Sequence, residues 1–165
     1  MFQSIEGFLK MWEHESKLTQ KVFDQLTDES LKQEVVAENW TLGKLAWHIT
    51  TAITGLCPMA NLNFEATPAN APVPTSAQFI AESYRKTCDA FVEALQTQWT
   101  DSELNTEVDF FGFNISKGLF LTFLIQHQTH HRGQMTVLMR QAGLRVPGVY
   151  GPSKEEMAEF QASKK

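Results

Sequence analysis

The segment 117–143 constrains the fold most, because it reads as one long helix whose apolar stripe is interrupted by histidine. Residues at i, i+3, i+4 and i+7 share one face of an α-helix. Phe120, Leu124, His127, His131, Leu138 and Ala142 fall on one such stripe, so both imidazoles are expected to point inward. Ser116 is placed to cap this helix, and Gly143 stands where a C′ glycine ends one. Side chains four apart on a helix lie about 5–6 Å apart at Cβ, which lets two imidazoles meet one metal ion. A metal would also satisfy two polar rings that burial leaves in need of partners.

Three more long helices are expected. The first spans 4–26, with Ile5, Phe8, Trp12, Leu18, Val22 and Leu26 as its stripe, and a short extra turn follows near Ser30. The second starts at the N-cap Thr41, carries Leu42, Leu45, Ile49, Ile53 and Leu56, and ends or kinks at Pro58. The stretch 65–74 holds three prolines and no periodicity, so it reads as a crossover linker. The third helix starts at a capping box of Thr75 and Gln78 and runs to about Trp99, with Phe79, Tyr84, Cys88, Phe91, Val92 and Leu95 apolar. Residues 108–115 read as a turn or small hairpin, and Ser153 with Glu156 starts a last short helix. The expected class is all-α: one domain over 1–165, a four-helix bundle with a long crossover between helices 2 and 3.

Length and charge exclude several functions. A chain of 165 residues can bury one sizeable core. Its net charge of −5 leaves no basic surplus to meet nucleic-acid phosphates or an anionic membrane. No apolar run reaches the roughly 20 residues of a membrane span. Cys57 and Cys88 form no disulfide framework and no metal-ligand spacing, as in a reducing cytoplasm.

A third inward imidazole, His48, shares a face of the second helix with Leu45 and Ala52. Three neutral imidazoles suit Zn or Ni first, with Co and Fe also accommodated, and leave coordination positions open. His130 lies at i+3 from His127, so it competes with His131 as the second ligand from that helix. His14, between Glu13 and Glu15, is expected on the polar surface. The motif is not that of a zincin, because Gln128 stands where glutamate would follow the first histidine. No catalytic acid or base is assigned.

The run His127-x-x-x-His131-Arg132-Gly133-Gln134, preceded by 41–48 and followed by 146–152, resembles the DinB/YfiT-like family of bacterial metalloproteins over essentially the whole chain. The resemblance implies up-down-down-up connectivity, a homodimer, and His48, His127 and His131 as metal ligands, with His130 a neighbour that does not ligate. It also implies an activity among thiol S-transferases that use a low-molecular-weight thiol such as bacillithiol. The expected function is therefore metal-dependent activation of such a thiol for transfer to a small-molecule substrate. Metal-dependent hydrolysis and a non-catalytic metal-binding stress protein are the alternatives. Arg132 is a candidate clamp for a substrate carboxylate, with a helix-surface or dimer-interface position as the plainer reading. Gln134 is a candidate donor to a ligand imidazole or simply packs. Tyr150, on a Gly/Pro-rich loop, is a candidate to fold over the site or simply to pack, and Trp40 and Trp47 are placed in the core or at the rim.

Overall fold

The computed structural model describes residues 2–164. It is mostly helical, with α1 (Ile5–Phe23), α2 (Leu42–Leu56), α3 (Ala77–Gln98), α4 (Lys117–Gln141) and α5 (Lys154–Ala162). A hairpin of β1 (Glu107–Phe110) and β2 (Phe113–Ser116) precedes α4, one small antiparallel sheet where residues 108–115 read as a turn or hairpin. Helices α1 and α2 each pack against both α3 and α4. Among the described residues no helix is long and apolar enough to cross a membrane.

The helix ends follow from local chemistry. Ser4, Thr41, Ser116 and Ser153 cap α1, α2, α4 and α5 through side-chain oxygens that accept backbone N–H groups. The cap of α3 is Ser76 rather than Thr75, one residue later than the sequence pattern indicates. Asp28 explains the shift, since its carboxylate accepts the Ala77 N–H at 2.7 Å and fixes where the helix begins. Helix α1 stops at Phe23, three residues short of Leu26, and a 3-10 turn over Glu29–Lys32 follows. Gly143 adopts a positive φ of 73° beyond α4, the conformation a C′ residue needs.

The hairpin turn is Phe111-Gly112, both with positive φ (54° and 84°), between the paired residues Phe110 and Phe113. A two-residue connection of this hand matches the twist of its strands. Glycine takes such a φ freely, whereas phenylalanine there stores strain of about 1–3 kcal/mol. Asp109 helps hold the turn by accepting the Gly112 N–H at 2.7 Å.

The crossover 61–76 has no helix or strand and is tied down along its length, with Gln98 Nε2 donating to the Asn63 carbonyl at 2.7 Å near its start. Trp47 Nε1 donates to the Ala71 carbonyl at 2.8 Å, and Thr54 donates to the Thr67 carbonyl at 2.6 Å. The core runs through all four long helices, from Phe8, Trp12 and Phe91 to Ile49, Phe120 and Leu138.

The buried stripe of α4 does not centre on the histidines. It follows Leu121, Leu124, Gln128, Arg132, Met135 and Met139, and His127 and His131 flank it, half-buried on the side facing α2.

Candidate metal centre

Helix α2 presents His48 and helix α4 presents His127 and His131. The three rings meet in the seam between these helices, with centroids 4.9 Å (48 to 127), 4.6 Å (48 to 131) and 4.6 Å (127 to 131) apart. The Nε2 atoms of His48 and His127 face each other at 3.1 Å. One nitrogen from each of the three residues lies within 4.8 Å of the others, an arrangement that can hold a metal ion. Among the described residues, no other group of three His, Cys, Asp or Glu side chains meets that geometry.

The environment keeps the rings neutral. Burial pushes the His127 pKa down to about 4, and the neighbouring His131, His48 and His130 push the same way. His48 is lowered by burial and then by His131 and Lys44. His131 is lowered mainly by burial, against an opposing contribution from its bond to Gln134. Neutral imidazole is the form that ligates metal.

Gln134 settles one tautomer. Its Oε1 lies 2.8 Å from His131 Nδ1, and an amide oxygen can only accept, so Nδ1 carries the proton and Nε2 is left with a free lone pair. Trp40 stacks near His131 at 5.9 Å and meets His48 edge-on at 4.9 Å, while Phe123 lies 5.6 Å from His127. Three neutral nitrogens, one with its tautomer set by a neighbour and all sheltered by aromatic rings, form a donor set that fits a divalent ion such as Zn or Ni.

The remaining sequence candidates lie elsewhere. His130 is exposed, and its ring packs on His131 at 4.9 Å rather than joining the cluster. His14 is exposed. Arg132 is neither at the surface nor in the seam with His48. It is 1% exposed and points between α4 and α1, donating to the Glu15 carboxylate at 2.7 Å, the Glu15 carbonyl at 2.9 Å and Thr19 at 3.0 Å. Tyr150 joins this group: its hydroxyl accepts from Arg132 at 2.6 Å and donates to Glu15 at 2.8 Å. A guanidinium so fully engaged has no free fork for a substrate carboxylate.

This buried network includes residues that the sequence reading passed over. Gln128 Oε1 accepts from Tyr84 at 2.8 Å and lies 3.3 Å from Thr19 Oγ1. Glu15 and Thr19 continue the stripe Phe8, Trp12 toward Val22 at i+3 and i+4 spacing, and that phase was the available signal. Leu18, assigned to the stripe, is only half-buried.

Comparison with known proteins gives a consistent picture. The chain is 58% identical over 160 residues to the uncharacterised protein YrdA of Bacillus subtilis (strain 168), covering 97% of this chain and 96% of that one. The crystal structure of a DinB-like protein from Bacillus cereus ATCC 10987 superposes with a TM-score of 0.88 at 59% identity, over 91% of this chain and 100% of the other. A second DinB-like protein, YjoA from Bacillus subtilis, shares the fold at a TM-score of 0.68 and 17% identity, over 87% of this chain and 97% of that one. The sequence pattern of the DinB family matches residues 1–164, and the chain belongs to that family.

Proposed function

We propose that this protein, as one domain over 1–165 with up-down-down-up helix connectivity, binds a divalent metal through His48, His127 and His131 and transfers a low-molecular-weight thiol to a small-molecule substrate. The observation that carries the reading is the convergence of three half-buried imidazoles, held neutral, on one point in the α2–α4 seam. Three protein ligands leave coordination positions open, whereas structural zinc sites are normally closed by four. When bound, a divalent cation there supplies its charge to lower the pKa of a thiol or water on its open side.

The chain's own residues do the positioning. Gln134 holds His131 in the tautomer whose Nε2 faces the cluster. Trp40 and Phe123 shelter the rings from water on two sides. No carboxylate lines the recesses that open beside the histidines, so no side chain there is offered as general base. That absence favours a reactant whose own proton is acidic enough to be lost near neutral pH, which a thiol satisfies better than water.

Metal analysis of freshly purified protein is the test, beside the variant with all three histidines changed to alanine. Stoichiometric metal in the wild type and none in the variant is expected, with consumption of an electrophile that depends on added thiol. Wild type that neither retains nor takes up metal would overturn the reading. Ester or amide hydrolysis without thiol would replace transfer by metal-dependent hydrolysis, and metal removal that only unfolds the protein would leave a non-catalytic metal-binding role. The reading includes a cytoplasmic homodimer, for which sedimentation equilibrium checks the oligomeric state.

A further inference from the structure

Two recesses open on different sides of the three-histidine cluster. The first, about 440 Å³, is walled by Val35, Trp40, Val137 and Leu138 and reaches His131 and Gln134. The second, about 340 Å³, is walled by Leu56, Phe111 and Phe123 and reaches His48 and His127. Each volume lies in the range of small-molecule sites. The histidines divide between the two recesses, yet their rings touch, so one centre serves both.

Neither recess has a charged side chain in its wall. The ammonium of Lys44 sits 5.2 Å from the Trp40 ring centroid and is not part of the lining. Apolar side chains instead stand in solvent at the mouths: Val35 is 57%, Val137 55% and Phe111 66% exposed. Exposed apolar groups gathered around a concave site are a mark of ligand binding. Phe111 is itself a left-handed residue of the hairpin turn, and strain of that kind tends to persist where it serves a site.

We propose that the recess beside Trp40 receives an uncharged aryl or branched alkyl group, the apolar part of the electrophilic substrate, while the recess beside Phe111 is left for the second reactant. What this says about the substrate rests on the transfer reading above; what it says about binding does not require the metal. In the metal-free chain the wall of the Trp40 recess offers an anionic group no charged side chain to replace its water, so neutral ligands are favoured there.

The test uses the neutral fluorophore N-phenyl-1-naphthylamine with the full chain after chelator treatment. Saturable fluorescence enhancement is expected, weakened at least ~10-fold by Val137→Glu and by Val35→Glu, since either puts a charge at the mouth. Both side chains are mostly exposed, so circular dichroism of the variants should match wild type. The sulfonated analogue 8-anilinonaphthalene-1-sulfonate should bind more weakly. No saturable binding, or wild-type affinity in both valine variants, or equal affinity for the sulfonate overturns the proposal. Probe binding in a protein that never takes up metal would sink the metal reading alone. Metal uptake without probe binding would sink this one alone.

Discussion

Arg132 donates to the Glu15 carboxylate at 2.7 Å inside the protein, one position beyond His131 on the same helix. The two side chains are 1% and 5% exposed, so each relies on the other for the hydration it has lost. Their contact lies on the buried stripe of α4 with Leu121, Leu124, Met135 and Met139, the face that sets the direction in which His127 and His131 point. Arg132→Met is therefore expected to destabilise the fold by about 3–5 kcal/mol, because it strands a buried carboxylate. The double variant Glu15→Leu/Arg132→Met should recover most of that loss in urea denaturation. A double variant as unstable as the single one would show that the pair is not the cause.

Tyr150 closes the same network from a loop, the residue 65% exposed and its hydroxyl between the two charges. Tyr150→Phe removes hydrogen bonds to charged groups and should cost about 1.5 kcal/mol of stability. Metal content should be unchanged, since the hydroxyl serves the ion pair and not the histidines. A loss of metal with full stability would relocate Tyr150 to the metal centre.

Gln134→Leu keeps the size of the side chain but removes the acceptor for the His131 Nδ1 proton. Metal affinity measured against a chelating dye should fall about 10- to 100-fold, with the helical circular dichroism unchanged. Unaltered affinity would mean that packing alone orients His131.

The metal-free protein should lose stability on mild acidification. The folded pKa values of His48, His127 and His131 lie below the ordinary value of 6.5, His127 near 4. The unfolded chain therefore takes up protons first as pH falls. The stability these rings confer is complete above pH 6.5 and is lost progressively toward about pH 4. Glu155 and Glu156, lowered to about 2 from 4.5, titrate in the unfolded chain only below that upper range. Urea midpoints of chelator-treated protein between pH 7 and 5.5 should fall for wild type and stay nearly flat for the triple alanine variant. Parallel curves would rule the histidines out as the source.

Neither cysteine should react in the folded protein. Cys57 is fully buried and Cys88 is 7% exposed; burial pushes the Cys88 pKa up to about 12 and raises that of Cys57 as well. Ellman's reagent at pH 8 should label no thiol in the native state and two in urea. Labelling of native protein would contradict these positions and allow an internal nucleophile. Without it, any thiol chemistry depends on a thiol brought from outside.

Spacing made the histidines legible, since i and i+4 on one helix and an inward position on another leave few ways not to meet. Helix existence was legible for the same reason, and Thr41, Ser116 and Ser153 announced where three of the helices begin. The exact phase of a face was harder to read. Gln128 and Arg132 occupy the centre of the buried stripe of α4, only one position from each histidine, about 100° around the axis. Local pattern does not say which of two adjacent polar residues a helix turns inward when both neighbouring helices accept polar partners. Arg132 looked like a surface or substrate residue because its partner, Glu15, is 117 positions away. Ser76 displaced Thr75 through Asp28, another distant residue that no nearby motif reveals. The recesses depend on the segment around Val35 and Trp40 and on the hairpin tip, whose paths are set by packing rather than period.

His48 and His127 stand 79 positions apart in the chain and 3.1 Å apart in space. An ion gripping both would close a loop that contains the crossover, all of α3 and the hairpin. Closing a covalent loop of that length removes on the order of 4–5 kcal/mol of entropy from the unfolded chain, and a tight metal clip approaches that limit. Occupancy at the seam would then set how readily the whole molecule opens, so a melting temperature measured against added metal would track the chemistry of the site.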